Sequence, residues 1–373
     1  MNLNDKKARV IAFYLPQYHP IPENDAVWGK GFTEWTNVAK AKPLYNGHHQ
    51  PNIPADLGFY DLRLPIIREQ QAELARNAGV EGFMYWHYWF GNGKMLLEKP
   101  FLEVLNSAKP DFPFCLGWAN HSWTTKTWHG ANGLNLKVGT EYIAKMVYPG
   151  KDDYRAHFNY CLPAFKDKRY ITVDGKPLFY IWAPSDHPEM QLFIEYWQEL
   201  ALQNGLNGIH FVANVNGNEE SYNKYIEMGF SAVNFNTMSY AQAKVAGSVF
   251  KRKIKTLFSW YLPGLKLNKY DYSKIVENMS LPIYSEENCY PVILPGYDRS
   301  PRAGRAAVIL SNNNPKAFQK HVADTIERVQ CKKDEHKIVF LKSWNEWAEG
   351  NYMEPDLRWG HAFLDALKNE VFK

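Results

Sequence analysis

One repeated unit limits the possible folds more than any other feature of these 373 residues: a short apolar run followed by a stretch of helical periodicity. The apolar runs are Val10–Leu15, Gly82–Trp86, Phe114–Trp118, Leu178–Trp182, Ile209–Asn214, Ala232–Asn236, Val292–Leu294 and the run that starts at Ile338. The helical stretches are Pro65–Ala78, Leu96–Ala108, Tyr154–Phe165, Met190–Gln203, Glu219–Met228, Tyr272–Met279, Pro315–Val329 and Trp359–Val371. Pro65 sits in a first turn and Gly79 is a stop signal. Strands this apolar, each covered by a helix, belong to a parallel sheet buried on both faces. Eight such units predict a single α/β domain over residues 9–373, a closed (β/α)8 TIM barrel with long βα loops. The Pro-, Gly-, Asn- and His-rich segment Ile21–Leu64 reads as one long functional loop.

The last apolar run shows where the chemistry belongs. Ile338 to Leu341 is strand-like, and it leads into Ser343-Trp344-Asn345-Glu346-Trp347-Ala348-Glu349-Gly350, with two glutamates three positions apart. A strand interior does not tolerate two carboxylates, because each needs water, a partner or a raised pKa. They therefore belong at the exposed carboxyl end of the strand. Two carboxylates framed by Trp344 and Trp347 fit acid/base chemistry on a flat, hydroxylated ring such as a sugar. One must be neutral and the other ionised, which closely spaced like charges achieve by pushing their pKa values apart.

Polar and aromatic residues also follow the other strands, and in a barrel these positions converge on one mouth. Candidate substrate-binding residues are Tyr14, Tyr18, His19, Trp35, Trp86, Trp89, Trp118, Asn120, Trp123, Asn214 and Asn236, together with Trp344, Asn345 and Trp347. Tryptophans can stack on pyranose faces and amides can bind hydroxyls; barrel-top packing and helix capping are the plainer roles for the same residues. With 13 Trp and 23 Tyr, the chain has material for either.

Other function classes find little support. No Gly-x-Gly-x-x-Gly or P-loop follows a strand, and a net charge of +4 without a long basic block away from one insertion does not point to nucleic acid. The four cysteines are scattered and His48, His49 and His121 lack ligand spacing, so neither a metal nor a cofactor is expected. The start of the chain has no signal-peptide pattern and no stretch has transmembrane length, from which a reduced, cytoplasmic protein is expected. The insertion at about 240–270 is different. Over Lys244–Lys269 it interleaves Lys251, Arg252, Lys253, Lys255 and Lys266 with Phe250, Phe258, Trp260 and Tyr261. It reads as a lid with a solvated basic face, or as a peripheral contact with the inner face of a membrane or with a lipid-linked glycan.

Four motifs carry a family resemblance over nearly the whole chain. Phe13-Tyr14-Leu15-Pro16-Gln17-Tyr18-His19, Gly31-Phe32-Thr33-Glu34-Trp35-Thr36-Asn37-Val38, Tyr85-Trp86-His87-Tyr88-Trp89-Phe90 and Ser343-Trp344-Asn345-Glu346-Trp347-Ala348-Glu349 resemble the WbsX-like family. That family is labelled glycosyltransferase, is associated with O-antigen and other surface-polysaccharide clusters, and looks related to the endo-α-mannosidases and endo-α-mannanases of glycoside hydrolase family 99. The resemblance implies a retaining glycosidase or transglycosidase acting on an α-linked glycan of bacterial surface polysaccharide. It also implies a route in which Glu346 assists the substrate's 2-hydroxyl in forming an anhydro-sugar and Glu349 serves as general acid/base. The residues themselves define the pair and not the order of its roles. At Ala348 the sequence departs from the hydrolases, which typically carry histidine there. A glycosyltransferase of O-antigen or lipopolysaccharide synthesis and an inactive carbohydrate-binding barrel are the competing expectations.

Overall fold

The computed structural model describes residues 6–125, 141–216, 221–247 and 268–372. Nine parallel strands are wound into a barrel: β1 (Arg9–Tyr14), β2 (Val80–Trp89), β3 (Phe114–Trp118), β4 (Lys176–Ile181), β5 (His210–Asn216), β6 (Ala232–Asn236), β7 (Cys289–Tyr290), β8 (Val292–Ile293) and β9 (Ile338–Leu341). The hydrogen-bonded order runs β7-β6-β5-β4-β3-β2-β1-β9-β8. Only Pro291 separates β7 from β8. A proline has no N–H to give to a ladder. The chain accordingly changes neighbours around it: β7 pairs with β6, β8 pairs with β9, and the Pro291 carbonyl accepts from the Phe340 N–H at 2.9 Å. The two short strands are thus the seventh unit of a (β/α)8 barrel, and they close it.

The strands form where the sequence is apolar on both faces. Val10, Ile11, Ala12 and Phe13 are all sealed from solvent, as are Ile338, Val339, Phe340 and Leu341 opposite them. Inside the barrel, rings of Phe13, Tyr180 and Phe340 meet pairwise with centroids 5.3–5.4 Å apart. Trp86 packs on Phe13 at 5.2 Å, above this plug. The barrel centre is therefore packed core, and space opens at the carboxyl ends of the strands.

Helices over Pro65–Asn77, Lys99–Ser107, Lys151–Phe165, Met190–Gln203, Tyr222–Glu227, Tyr272–Met279, Pro315–Val329 and Ala362–Val371 cover the outside. The Pro315 helix shows why its start is legible: proline occupies the first turn, and the Asn314 side chain caps the Ala317 N–H at 3.0 Å. The segment expected to be one long loop instead contains two short helices, Pro22–Trp28 and Glu34–Lys40. The second is started by reciprocal bonding between Thr33 and Thr36 rather than by an apolar stripe, so periodicity does not reveal it. The basic residues Lys251, Arg252, Lys253, Lys255 and Lys266 and the aromatic residues between them lie outside the described residues, as does the start expected for the Glu219 helix. No described helix is long and apolar enough to cross a membrane.

Candidate active site

After β9 the chain turns back on itself. Asn345–Glu346 pairs antiparallel with Asn351–Tyr352, joined by the 3-10 turn Trp347–Glu349 and by Gly350. Gly350 has φ of 57°, and a Cβ there would stand 2.9 Å from the Asp298 Cβ, so both backbone conformation and space call for glycine. The turn is clipped to the opposite end of the sequence. The Asn345 side chain accepts from the Leu15 N–H at 2.8 Å and donates to the Leu15 carbonyl at 3.0 Å. Tyr18 hydroxyl bonds the Asn345 carbonyl and accepts from the Trp347 N–H at 3.2 Å. From below, buried Glu354 accepts from Trp347 Nε1 at 2.6 Å, Gln71 at 2.6 Å and Tyr60 at 2.9 Å. Burial raises the Glu354 carboxyl to about 7 even so.

This scaffold turns Glu346 and Glu349 into a cavity of about 300 Å³ at the barrel mouth. Its walls include Trp86, Tyr88, Trp123, Trp182, Tyr297 and Asn236. Between the two glutamates lies Arg302, whose side chain is only 7% exposed. Its Nη1 is 2.6 Å from Glu349 and its Nη2 is 3.1 Å from Glu346. The same guanidinium makes a two-point contact with Glu34, at 2.9 and 3.2 Å, and Glu34 is wholly buried. Arg299 and Lys342 add two further cations to the wall, with Arg299 at 3.4 Å from Glu349.

The cations act unequally on the pair. Burial, and next the charge of Glu349, raise the Glu346 carboxyl to about 7 against the pull of Arg302. Burial also opposes ionisation of Glu349, but the charges of Arg302, Arg299 and Lys342 outweigh it and hold that carboxylate below its ordinary range. One neutral and one ionised carboxyl near pH 7 is the division of labour that acid/base chemistry needs.

Of the residues expected to contact substrate, Trp86, Trp123 and Asn236 line this cavity with the two glutamates. The others are placed elsewhere. Tyr14 is buried and bonds Gln71; His19 is buried and its Nδ1 lies 3.1 Å from the Pro16 carbonyl. Trp35 donates to the Tyr60 carbonyl, Trp118 to that of Trp89, and Trp89 stacks on His157. Asn120 is clipped to the backbone of Ala183 in both directions, and Asn214 donates to the Trp182 carbonyl. Tyr18, Trp344, Asn345 and Trp347 are buried supports of the turn that carries Glu346 and Glu349. Sequence reasoning passed over Glu34, Arg299, Lys342, Tyr88, Trp182 and Tyr297. A charged residue inside the aromatic motif Phe32-Thr33-Glu34-Trp35 was the available signal for Glu34.

Among the described residues, His87, His157 and Cys161 form one buried cluster of metal-ligand type. His87 and His157 Nε2 are 2.8 Å apart, the distance of a hydrogen bond between neutral imidazoles. Two zinc ligands at about 2.0 Å each would stand roughly 3.3 Å apart. The contact fits a hydrogen-bonded pair.

Comparison with known proteins gives the family. Residues 10–367 match the family described as Glycosyltransferase WbsX, and the chain belongs to it. It is 35% identical over 366 residues to the protein WxcX of Xanthomonas campestris pv. campestris strain B100. That match covers 98% of this chain, which spans about half (50%) of the length of WxcX. Among solved structures, the glycoside hydrolase family 99 endo-α-mannosidase of Bacteroides thetaiotaomicron is similar with a TM-score of 0.58 at 15% identity, covering 97% of this chain and 96% of that one. A glycoside hydrolase-like protein gives 0.60 at 15% identity, covering 100% and 96%. At that identity the likeness is one of fold.

Proposed function

We propose that the protein is a carbohydrate-active enzyme that breaks, with hydrolysis or transfer, an α-glycosidic bond in a bacterial surface polysaccharide. The observation that carries this reading is the charge split between Glu346 and Glu349 around Arg302, inside an aromatic-walled cavity at the barrel mouth. The roles that fit this electrostatics are the reverse of those implied by the hydrolase resemblance. Glu346 holds a proton near neutral pH and gives it to the leaving oxygen as the glycosidic C–O bond breaks. Glu349, ionised beside Arg302, takes a proton from the 2-hydroxyl, whose oxygen closes on the anomeric carbon as the bond to the leaving oxygen breaks. Water, or a sugar hydroxyl in its place, then attacks that carbon and gives its proton to Glu346, while the bond from the anomeric carbon to the 2-oxygen breaks and the 2-oxygen takes its proton back from Glu349, so two displacements give net retention. Trp86 and Trp182, at 5.3 Å and nearly perpendicular, offer the ring a stacking face and an edge.

A second reading, a glycosyltransferase in polysaccharide synthesis, draws on Arg299 and Lys342. Two cations beside the carboxylates suit the phosphate of a nucleotide- or lipid-linked donor. One experiment separates the two. The protein is incubated with its source organism's polysaccharide and with the lipid-linked precursor, with and without nucleotide sugars, and products are read by mass spectrometry and anomeric proton signals. Nucleotide-independent cleavage with retention, absent from Glu346→Gln and Glu349→Gln, supports the glycosidase. Transfer only when an activated donor is present refutes it in favour of the transferase.

A further inference from the structure

A second cavity of about 300 Å³ lies at the barrel mouth, behind the wall that carries the catalytic pair. Tyr297 lines both cavities; Arg299 and Glu349 face the first, while their neighbours Asp298 and Gly350 face the second. The partition is therefore one layer of chain thick, closed by the Asp298 N–H donating to the Glu349 carbonyl at 2.6 Å.

The lining of the second cavity selects a class of ligand. Its ionised groups balance, Asp298 and Asp356 against Lys269 and Arg358, while burial raises the Glu354 carboxyl to about 7, so no excess charge selects an anion. Nor is it built for a cation, because the acids are engaged by protein donors. Asp298 Oδ2 is 2.7 Å from both His48 and Gln50, and its Oδ1 accepts from the Ser300 N–H at 2.9 Å. Asp356 accepts from the Tyr352 hydroxyl at 2.6 Å and from the N–H groups of Arg358 and Trp359. What remains for a ligand is neutral. The amides of Asn46, Asn52 and Asn313 face the space without a side-chain hydrogen bond among the described residues. Gly296 leaves room for the Asn313 amide, whose nitrogen would be 2.7 Å from a Cβ at that position. The half-buried ring of Trp359, with Arg358 over one face at 4.8 Å, stands beside them; Tyr45 is engaged, stacked on His48 at 4.5 Å with Lys269 4.6 Å from its ring. Amides for hydroxyls, with one indole face for a C–H surface, recognise an uncharged pyranose.

We infer that this second cavity is an accessory binding site for a neutral hexopyranose, separate from the sugar at the catalytic pair. The inference rests on the reading of the protein as glycan-active, and it adds a second point at which the glycan is held. A sugar bound there presses on Asp298 and Gly350, the far side of the wall that positions Glu349.

The test uses the full chain and the methyl α-glycosides of glucose, mannose and galactose, titrated while the indole N–H signals of Trp359, Trp86 and Trp182 are followed by NMR. Signals are assigned by substitution to Phe. A saturable response of Trp359 to at least one glycoside is expected. Asn52→Ala and Asn46→Ala should each weaken that response about tenfold, as loss of a good polar contact does, without altering the Trp86 and Trp182 responses. Asn46 is exposed and Asn52 partly exposed, and circular dichroism checks that both variants fold. Silence of Trp359 with all three sugars, or a response unchanged in both variants, overturns the inference. Because no turnover is read, a Trp359 response in a protein that cleaves nothing would uphold this site and refute the glycosidase instead.

Discussion

Replacing Arg302 by Met tests the central electrostatic claim. The guanidinium serves three carboxyls at 2.6, 2.9 and 3.1 Å, in a site where Glu34 is 0% exposed and Glu346 and Glu349 13% each. A unit-charge pair at 4 Å in an effective dielectric of 20 interacts by about 4 kcal/mol, and breaking a buried pair by removing one partner typically costs about 3–5 kcal/mol. Methionine fills much of the volume, so the loss is electrostatic and depends on pH. The sign follows from Glu349. Its folded-state pKa lies below the ordinary value, so it contributes stability that is present above the unfolded pKa and is lost as pH falls through the folded one. Without Arg302 that contribution vanishes and the three carboxyls repel, so the variant gains from protonation. Urea unfolding should give a deficit near 3–5 kcal/mol at pH 8 that shrinks toward pH 5. Activity should fall about a hundredfold or more, because Glu349 no longer stays ionised beside a protonated Glu346. A deficit under about 1 kcal/mol at pH 8, or one that does not change with pH, would mean that solvent screens the cluster and that Arg302 does not divide the pair.

Other consequences are open to measurement. With Glu346 raised to about 7 and Glu349 lowered, activity should rise as pH increases through the acidic range and decline as pH passes 7; an alkaline limb that persists in Glu346→Gln with residual activity would contradict this origin. Glu354, raised to about 7 from 4.5, favours the fold below the unfolded value and loses that contribution as pH rises toward 7, a slope worth about 3 kcal/mol. Chemical unfolding across that range should flatten in Glu354→Gln, whatever its absolute stability. Asn345→Ala strands two buried backbone groups of Leu15 and should cost about 2–4 kcal/mol, read from the urea midpoint. Trp86→Ala should weaken sugar binding about tenfold, whereas Trp118→Phe, which lies away from the cavity, should leave affinity in a binding titration unchanged.

The sequence makes the barrel legible because each strand is apolar on both faces, and nothing but a parallel sheet under helices buries such runs. Phe114–Trp118 and Ala232–Asn236 are strands over the expected residues, and Met190–Gln203 and Pro315–Val329 are helices over theirs. The seventh strand was harder, because Pro291 breaks the ladder that periodicity looks for. Glu346 and Glu349 stood out because two carboxylates after an apolar strand have few structural uses. Their setting did not. Glu34 is 268 residues from Arg302, and its partner can be known only once the Thr33-capped helix lies against the loop after β8. Aromatic residues misled for a related reason. Trp118 and Trp347 look like sugar platforms in sequence, but which side of a turn a ring takes depends on hydrogen bonds such as that from Trp347 to Glu354.

The Asn345–Leu15 clip has a consequence for how the candidate site comes into being. Its two bonds join groups 330 positions apart, and they orient the turn that carries both glutamates. During synthesis the first strand waits, unpaired on one edge, until residues 338–341 have left the ribosome, since its second neighbour is β9. The glutamate pair therefore takes shape in the same event that seals the barrel. A chain stopped before β9 would hold Trp86, Trp123 and Trp182 and neither glutamate, so the activity proposed for that pair would report a completed barrel.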